Sequence, residues 1–476
     1  MCKIFKSYAL FFRYFFLINI CFSGFYAAFS QNTHPYFILD SLKIEGNKKT
    51  KIWIIEREVH LKKGDTIWQK QEKEQTEQIK NRLFNLNLFL NVEVGFEARD
   101  SLHKNLKISI KERFYLFAAP IFELADRNFN EWWYDRNKDL SRTNYGLILI
   151  KKNLRGRNET LEFNFQAGFL GKLKVAYKIP YIDKKQRYGL QLAFAYNQYK
   201  NLAYETEENK LVFLKYEHIL KDRYLAEIRL SRRDDFYQFH HLDMRFTKSS
   251  INDTILQLNP YYHLDSQAIQ KYFFLSYQYN YDSRDFASYP LKGQKILVGV
   301  EKMGILPTDN LNLWLVKLAW QRYYALSSKK WYVDASLGAR FLWHSGQPYS
   351  NASALGYGND LPRAYQLYVV DGQHYGILKS TLKYELFKTQ KHFSFIPIKQ
   401  FATIPLAVYP NLHYDMAYAS DNIFIRQKPN PLANQFLWGV GIGLDFITYY
   451  NTVFQVDITY NKHREWGFFL NFDSSF

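Results

Sequence analysis

The 476 residues include 38 Tyr, 40 Phe and 10 Trp, and 47% of the chain is hydrophobic, yet mean hydropathy is only -0.37. Apolar and polar residues are therefore finely interleaved, which favours strands over long apolar helices. The net charge of +18 is basic, but no nucleic-acid motif accompanies it, so contacts with anionic lipid or solvated lysine-rich loops account for it.

Lys3, Lys6 and Arg13 lead into an apolar run over 14–29, and Ala28-Phe29-Ser30 supplies small residues for a signal peptidase. Residues 1–30 read as a signal peptide cleaved after Ser30; a membrane anchor is the alternative, which the short apolar stretch disfavours. Removing the three cations of this segment takes the charge from +18 to +15. Cys2 and Cys21 both lie within it. The mature chain thus offers no disulfide, thiolate ligand or cysteine nucleophile.

From 31 to 113 the pattern is that of a small α/β module. A strand is expected over 37–44, a turn at Gly46-Asn47, and a helix near 50–60 stopped by Lys63-Gly64-Asp65. A second helix is expected from about 67 to 86, with Ile79, Leu83 and Leu86 at helical spacing for burial. Strands over 91–97 and 105–112 complete a β-α-α-β-β order, enough for a small core.

Beyond residue 30 no stretch approaches the ~18 apolar residues of a helical span. An integral chain would then have to be a closed antiparallel barrel, since only helices and barrels pair every backbone group in hydrocarbon. Period-two alternation does recur, over 161–169, 188–197, 273–282 and 453–460. Tyr177, Tyr181, Tyr196, Tyr199, Trp320, Tyr323 and Trp331 stand near the ends of such runs, as interfacial girdles do. A soluble sandwich would alternate too, but with a polar outer face and fewer aromatics at strand ends. At the C-terminus Trp466, Phe468, Leu470, Phe472 and Phe476 share one face of a strand.

Several segments are similar to a known family. "LKIEGNKKTKIWIIEREVHLKKGD", "RLFNLNLFLNVEV" and "LKISIKE" resemble a POTRA domain, with turn residues Gly46, Asn47, Gly64 and Asp65 in its pattern. "YDSRDFASYPLKGQ" and "LPRAYQLYVVDGQHYG" resemble the barrel of the bacterial surface antigen superfamily, which includes BamA/TamA-like proteins. The resemblance implies a transmembrane barrel of sixteen strands over 114–476, long enough for crossings of ~9–11 residues. It also implies a lumen loop whose tip, Arg363-Ala364-Tyr365, folds back into the barrel and pairs its Arg with an acidic wall residue. Asp415 in "LHYDMAYA" is the first candidate partner and Glu385 in "LKYELF" the second. Ala364 stands where the family has glycine, a residue that makes tight turns more easily. The alternating C-terminus resembles the sorting signal of outer-membrane barrels.

The function so implied is outer-membrane protein assembly or translocation, in a Gram-negative-type bacterium, with the N-terminal domain in the periplasm. Client polypeptides, outer-membrane lipid and accessory periplasmic or lipoprotein subunits are the expected partners. A two-partner-type secretion pore, a passive porin or an outer-membrane enzyme are the alternatives. Only one POTRA-like module is visible, whereas assembly proteins often carry several and two-partner secretion proteins two. His240, His241, His263, His344, His374, His413 and His463 sit in no recognisable catalytic or metal-binding spacing, and "GYGND" lacks the lysine of a phosphate loop. No cofactor is expected. His344 and His374 flank the long loop and could in principle face one another, but loop histidines are ordinarily plain surface residues.

Overall fold

The computed structural model describes residues 35–473, apart from 125, 127–128, 327–329, 359, 393, 395–402 and 449–451. The expected signal peptide and Phe476 lie outside the described residues. The described residues divide into two compact units: those up to Glu45 with His60–Ile79 and Glu93–Ser109, and Gly46–Val59 with Lys80–Val92 and those from Ile110 onward.

The N-terminal elements are β1 (Tyr36–Glu45), α1 (Ile52–Glu56), β2 (Thr66–Trp68), α2 (Glu72–Asn85), β3 (Phe89–Ala98) and β4 (His103–Glu112). Their sheet has the order β2-β1-β4-β3, so β3 is an edge strand. The second helix begins at Glu72, not near 67, because Thr66–Trp68 pairs antiparallel with β1 and sets Ile67 opposite Phe37. A β-branched and aromatic triplet with one buried side chain suits an extended backbone better than a helix start. Within the first unit Phe37, Leu39, Ile67, Ile79, Leu106 and Ile108 are buried. The Lys62-to-Asp65 turn is closed by the Asp65 carboxylate, which accepts from the Lys62 amide at 2.7 Å.

The second unit is dominated by an antiparallel barrel. It opens with β5 (Leu116–Leu124), β6 (Thr143–Leu154), β7 (Glu159–Gly168), β8 (Leu170–Ile179) and β9 (Tyr188–Tyr199). A separate hairpin, β10 (Asn201–Glu207) and β11 (Lys210–Lys215), precedes β12 (Lys221–Arg233), β13 (Gln238–Ile251) and β14 (Ile269–Asp282). Then come β15 (Gly293–Met303), β16 (Leu313–Ala325) and β17 (Trp331–His344). The long connection after β17 contains a two-stranded pair, β18 (Ser353–Leu355) and β19 (Val370–Asp371). The last strands are β20 (His374–Tyr384), β21 (Phe387–His392), β22 (Thr403–Ser420), β23 (Phe436–Ile447), β24 (Val453–Asn461) and β25 (Trp466–Asp473).

β20 and β21 both pair with successive parts of β22 and are two halves of one strand interrupted at Glu385-Leu386. The described barrel therefore has sixteen strand positions, and it closes by β25 lying beside β5. The expected alternation sets the two faces. On β7, Phe163 and Phe165 are exposed outward while Asn164 and Gln166 are buried inward; on β22, Leu412, Tyr414 and Tyr418 face out while His413, Asp415 and Ala417 face in. Trp466, Phe468 and Phe472 of β25 are likewise exposed. Not every aromatic near a strand end faces outward, however: Trp320 and Trp331 do, but Tyr181 is buried, its hydroxyl accepting from Arg233 at 3.1 Å.

An outward face of Leu, Ile, Phe and Tyr is stable only against hydrocarbon. Ile228→Arg, midway along β12 and facing out, should destabilise the barrel in liposomes by about 2–4 kcal/mol. A urea-unfolding midpoint unchanged from the parent would show that this face does not meet lipid.

Candidate functional site

The site is built on the connection between β17 and β20. Its base is held by Arg340 on β17, which donates to the Ser353 carbonyl and, at 3.0 Å, to the Gly372 carbonyl. From that base the chain folds back so that Arg363, Ala364 and Tyr365 form one helical turn, entered through Pro362 in an extended conformation. A proline before the turn presets its entry.

Arg363 meets Asp415 on β22. Its backbone N–H and Nε donate to Oδ2 at 2.7 and 2.9 Å, and Nη2 donates to Oδ1 at 2.5 Å. Nη2 also reaches the Ser380 carbonyl at 3.0 Å and Nη1 the Thr381 hydroxyl at 3.1 Å, both on β20. Asp415 is only 1% exposed at its side chain. A buried carboxylate is tolerated when a planar guanidinium supplies several donors at once. Glu385 lies elsewhere: at the break between β20 and β21 it accepts from the Tyr409 hydroxyl at 3.0 Å.

The other two tip residues rest on the neighbouring strands. Ala364 adopts no positive φ, so the turn it sits in does not require glycine. The space glycine would have left is provided instead by the wall, since a Cβ on Gly439 of β23 would stand 2.5 Å from the Ala364 Cβ. Tyr365 is fully buried, donates to the Trp438 carbonyl at 3.3 Å and sets its ring edge-on to His463. Asn461 on β24 donates to the Ala364 carbonyl at 3.4 Å. The tip is thus gripped by β20, β22, β23 and β24.

A second loop, between β14 and β15, enters from the opposite end. Asp285 shapes it by accepting from the amides of Phe286, Leu291 and Lys292. Tyr289 then donates to Asp445 on β23 at 2.7 Å, while Lys383 lies over its ring. Asp445 also accepts from Asn411 and Gln455. Between the two loops remains a polar cavity of about 200 Å³ lined by Arg363, Thr381, Lys383, Asp445 and Asp457. The stretch 281–294 stood out in the sequence, but nothing local identified Tyr289 as a lumen residue.

The outer loops close over the tip. At the turn of the β10–β11 hairpin, Asn209 donates to the Val369 carbonyl and to Asn430 at 2.8 and 2.7 Å and accepts from the Leu432 amide. Beneath it, Asp371 accepts from the Tyr357 hydroxyl. Near the chain's entry into the barrel, Glu58 is buried against Arg233 at the end of β12, with contacts of 2.6 and 2.7 Å. That pair, 175 residues apart, had no local signal.

The four turn residues fall in two places. Gly46 has φ +90 and a Cβ there would stand 2.0 Å from the Ile110 carbonyl oxygen, so no other residue fits. Asn47 donates to the Thr50 carbonyl; Gly64 and Asp65 form the turn already described. Of the histidines, His241 shares a hydrogen bond with Ser231 at 2.9 Å, but among the described residues no carboxylate lies within ion-pair distance of its ring. His374 accepts from the Leu342 amide. Among the described residues no cluster of three or more acidic, His or Cys side chains suits a metal ion.

Comparison with known proteins agrees with this architecture. An Omp85 superfamily domain model matches residues 153–375, and a POTRA model described as surface antigen variable number repeat matches residues 37–113. The crystal structure of BamA from Haemophilus ducreyi lacking POTRA domains 1-3 aligns over 91% of this chain and 83% of its own, with 15% identity and a TM-score of 0.51. CdiB from Acinetobacter baumannii aligns over 92% and 73%, with 13% identity and a TM-score of 0.48. CdiB from Escherichia coli aligns over 94% and 91%, with 10% identity and a TM-score of 0.49. No curated protein matches the sequence.

Two outcomes test the packing. Gly439→Ala should cost ~1–3 kcal/mol by overpacking against Ala364, and Ala364→Gly in the same chain should recover most of it; additive losses in thermal unfolding would mean that the two positions do not touch. Burial, with Asp421 nearby, pushes the Asp371 carboxyl up to about 6, from an unperturbed 3.8. Its folded pKa is the higher one, so the stabilisation is complete below the unfolded value and is lost as pH rises through about 6. Amide exchange over 352–372, corrected for intrinsic rates, should therefore be slower at about pH 5 than at about pH 7. Asp371→Asn should erase that difference, and its persistence in the variant would assign it to another group.

Proposed function

We propose that this chain, which matches an Omp85 superfamily domain over residues 153–375 and a POTRA repeat over 37–113 and sits in the outer membrane with its POTRA domain in the periplasm, inserts or translocates client polypeptides. The observation that carries the reading is the occupied lumen. Arg363 and Tyr289 enter from opposite ends and are hydrogen-bonded to the wall, which suits a gated machine better than a passive porin.

Two further features support it. The POTRA sheet ends in β3, and an edge strand can accept a client strand by main-chain pairing that is indifferent to side chains. At the seam, β5 spans 9 residues and the described part of β25 spans 8, against 13 and 14 for β12 and β13 on the far wall. This boundary joins the first and last strands of the barrel, and a seam that opened there would offer a client strand free edges to pair with. In this reading residues 31–113 form the periplasmic receiving domain, residues 114–476 the barrel, and the outward face of β25 the sorting signal. Arg363, Ala364 and Tyr365, with Asp415, hold the lumen loop. Accessory periplasmic or lipoprotein subunits would deliver clients to it.

Depletion followed by comparison of the outer-membrane and secreted proteomes tests the proposal. Broad loss of barrels is the expected outcome; loss of a single secreted partner would narrow the role to dedicated secretion, and an unchanged proteome with altered solute uptake or lipid hydrolysis would reject it. Complementation with Arg363→Ala should fail, because removing one partner of a buried ion pair costs about 3–5 kcal/mol. Full complementation by a variant of normal stability would show that this contact does not order the loop.

A further inference from the structure

We propose that the basic wall of the lumen at its periplasmic end is a receiving site for an acidic, extended segment of the client polypeptide, a reading that rests on the proposed translocase function. The site is a cavity of about 560 Å³ lined by side chains of β8, β9, β12 and β13 and by Glu58, Arg82 and Lys152. Three of its cations are already neutralised: Arg233 by Glu58 at 2.6 Å, Arg232 by Asp234 at 2.6 Å and Lys174 by Glu162 at 2.9 Å. Lys152, Lys178 and Arg187 are not. They line the same cavity, and among the described residues none has a carboxylate within ion-pair distance.

The geometry selects an extended chain. Leu173 of β8 is exposed outward, so Lys172, Lys174, Ala176 and Lys178 face the lumen in register with Gln166, Asn164, Glu162 and Thr160 of β7. Residues two apart on a strand repeat at about 6.6–6.8 Å, the spacing of alternate side chains on a client strand. Of the β8 lysines, Lys178 is the unpaired cation that lines the cavity, and acidic residues of such a segment would meet it together with Lys152 and Arg187. Unpaired cations inside a narrow, low-dielectric wall focus the field and raise the local concentration of an anionic partner.

Access also favours a polypeptide over a lipid. The barrel is closed, so the cavity is separated from the bilayer by the strand ladder. At the other end the outer loops are tied together through Asn209. A ligand therefore enters along the axis from the periplasm, the route on which client segments arrive.

The test uses the full-length protein in detergent and a labelled eight-residue peptide alternating Asp with Val, alongside the same peptide with Asn for Asp. The acidic peptide should bind, weaken steeply with salt, and outbind the Asn peptide by at least ~10-fold, equivalent to ~1.4 kcal/mol. Lys152→Gln, Lys178→Gln and Arg187→Gln combined should lower its affinity by a similar factor at unchanged thermal stability. If the triple variant fails to fold, Arg187→Gln alone, which lies outside the strands, should give a smaller loss of the same sign. Equal binding of the two peptides, or undiminished binding by the folded variants, would overturn the proposal. Displacement by inorganic phosphate or by anionic vesicles at peptide-like concentrations would overturn it too, in favour of a small anion or a lipid headgroup. Peptide binding that depends on these residues while depletion leaves the proteome unchanged would remove the translocase reading and leave the acidic-segment site standing. The reverse pattern would remove only the site.

Discussion

In hydrocarbon no backbone N–H or C=O can be left without a partner, and the rest of this molecule follows from how the chain meets that requirement. The ladder runs through sixteen strand positions and returns from β25 to β5. Once the ladder is closed, side-chain direction is no longer free: alternate residues face lipid or lumen along every strand. On β7 and β22, Phe163, Phe165, Leu412, Tyr414 and Tyr418 take one parity while Asn164, Gln166, His413 and Asp415 take the other. The cost of closure is a lumen lined by polar groups that must find partners of their own.

Loops supply many of those partners. Asp415 would lose its hydrogen bonds from the backbone N–H, Nε and Nη2 if Arg363 did not reach it from a connection 52 residues earlier; Asp445 takes its Oδ2 donor from Tyr289, while Asn411 and Gln455 donate to Oδ1. Each contact has a steric condition. The Arg363 turn can approach the wall because Gly439 carries no side chain where Ala364 arrives, and its direction is set by Arg340 gripping both ends of the loop base. The tip therefore has one position rather than a range of them, which is what a gate needs if opening is to be a discrete event.

A second polar junction forms where the chain enters the barrel. The Glu112 carboxylate accepts from the Lys49 and Thr50 amides and the Thr50 hydroxyl, and that hydroxyl in turn meets Tyr115 and Asn153. With Glu58 and Arg233 nearby in the same unit, residues 46–59 are bound to the β6–β7 turn and the end of β12. Such networks are costly to satisfy in part, because each group left over is a buried orphan. They favour transmission of a movement over its absorption.

Local spacing sufficed for much of this. Period-two alternation, the Gly46-Asn47 and Gly64-Asp65 turns, and the outward set Trp466, Phe468 and Phe472 were legible because each depends on neighbours in the chain; the loop tip at Arg363 was implied only by the family resemblance. The short strand Thr66–Trp68 was not, since it exists only by pairing with β1. Nor could spacing choose between Asp415 and Glu385: one is placed inward by the register of β22 against β20 and β23, while the other falls at a break in the ladder. The inward turn of Tyr181, the Glu58 to Arg233 pair and the fit of Ala364 to Gly439 are equally matters of register and closure. The sequence by itself determined which residues alternate and where the chain turns, because those are properties of adjacent peptides. Only the tertiary structure decided which inward residues meet, because a closed ladder brings distant strands together through a registry that no single strand encodes.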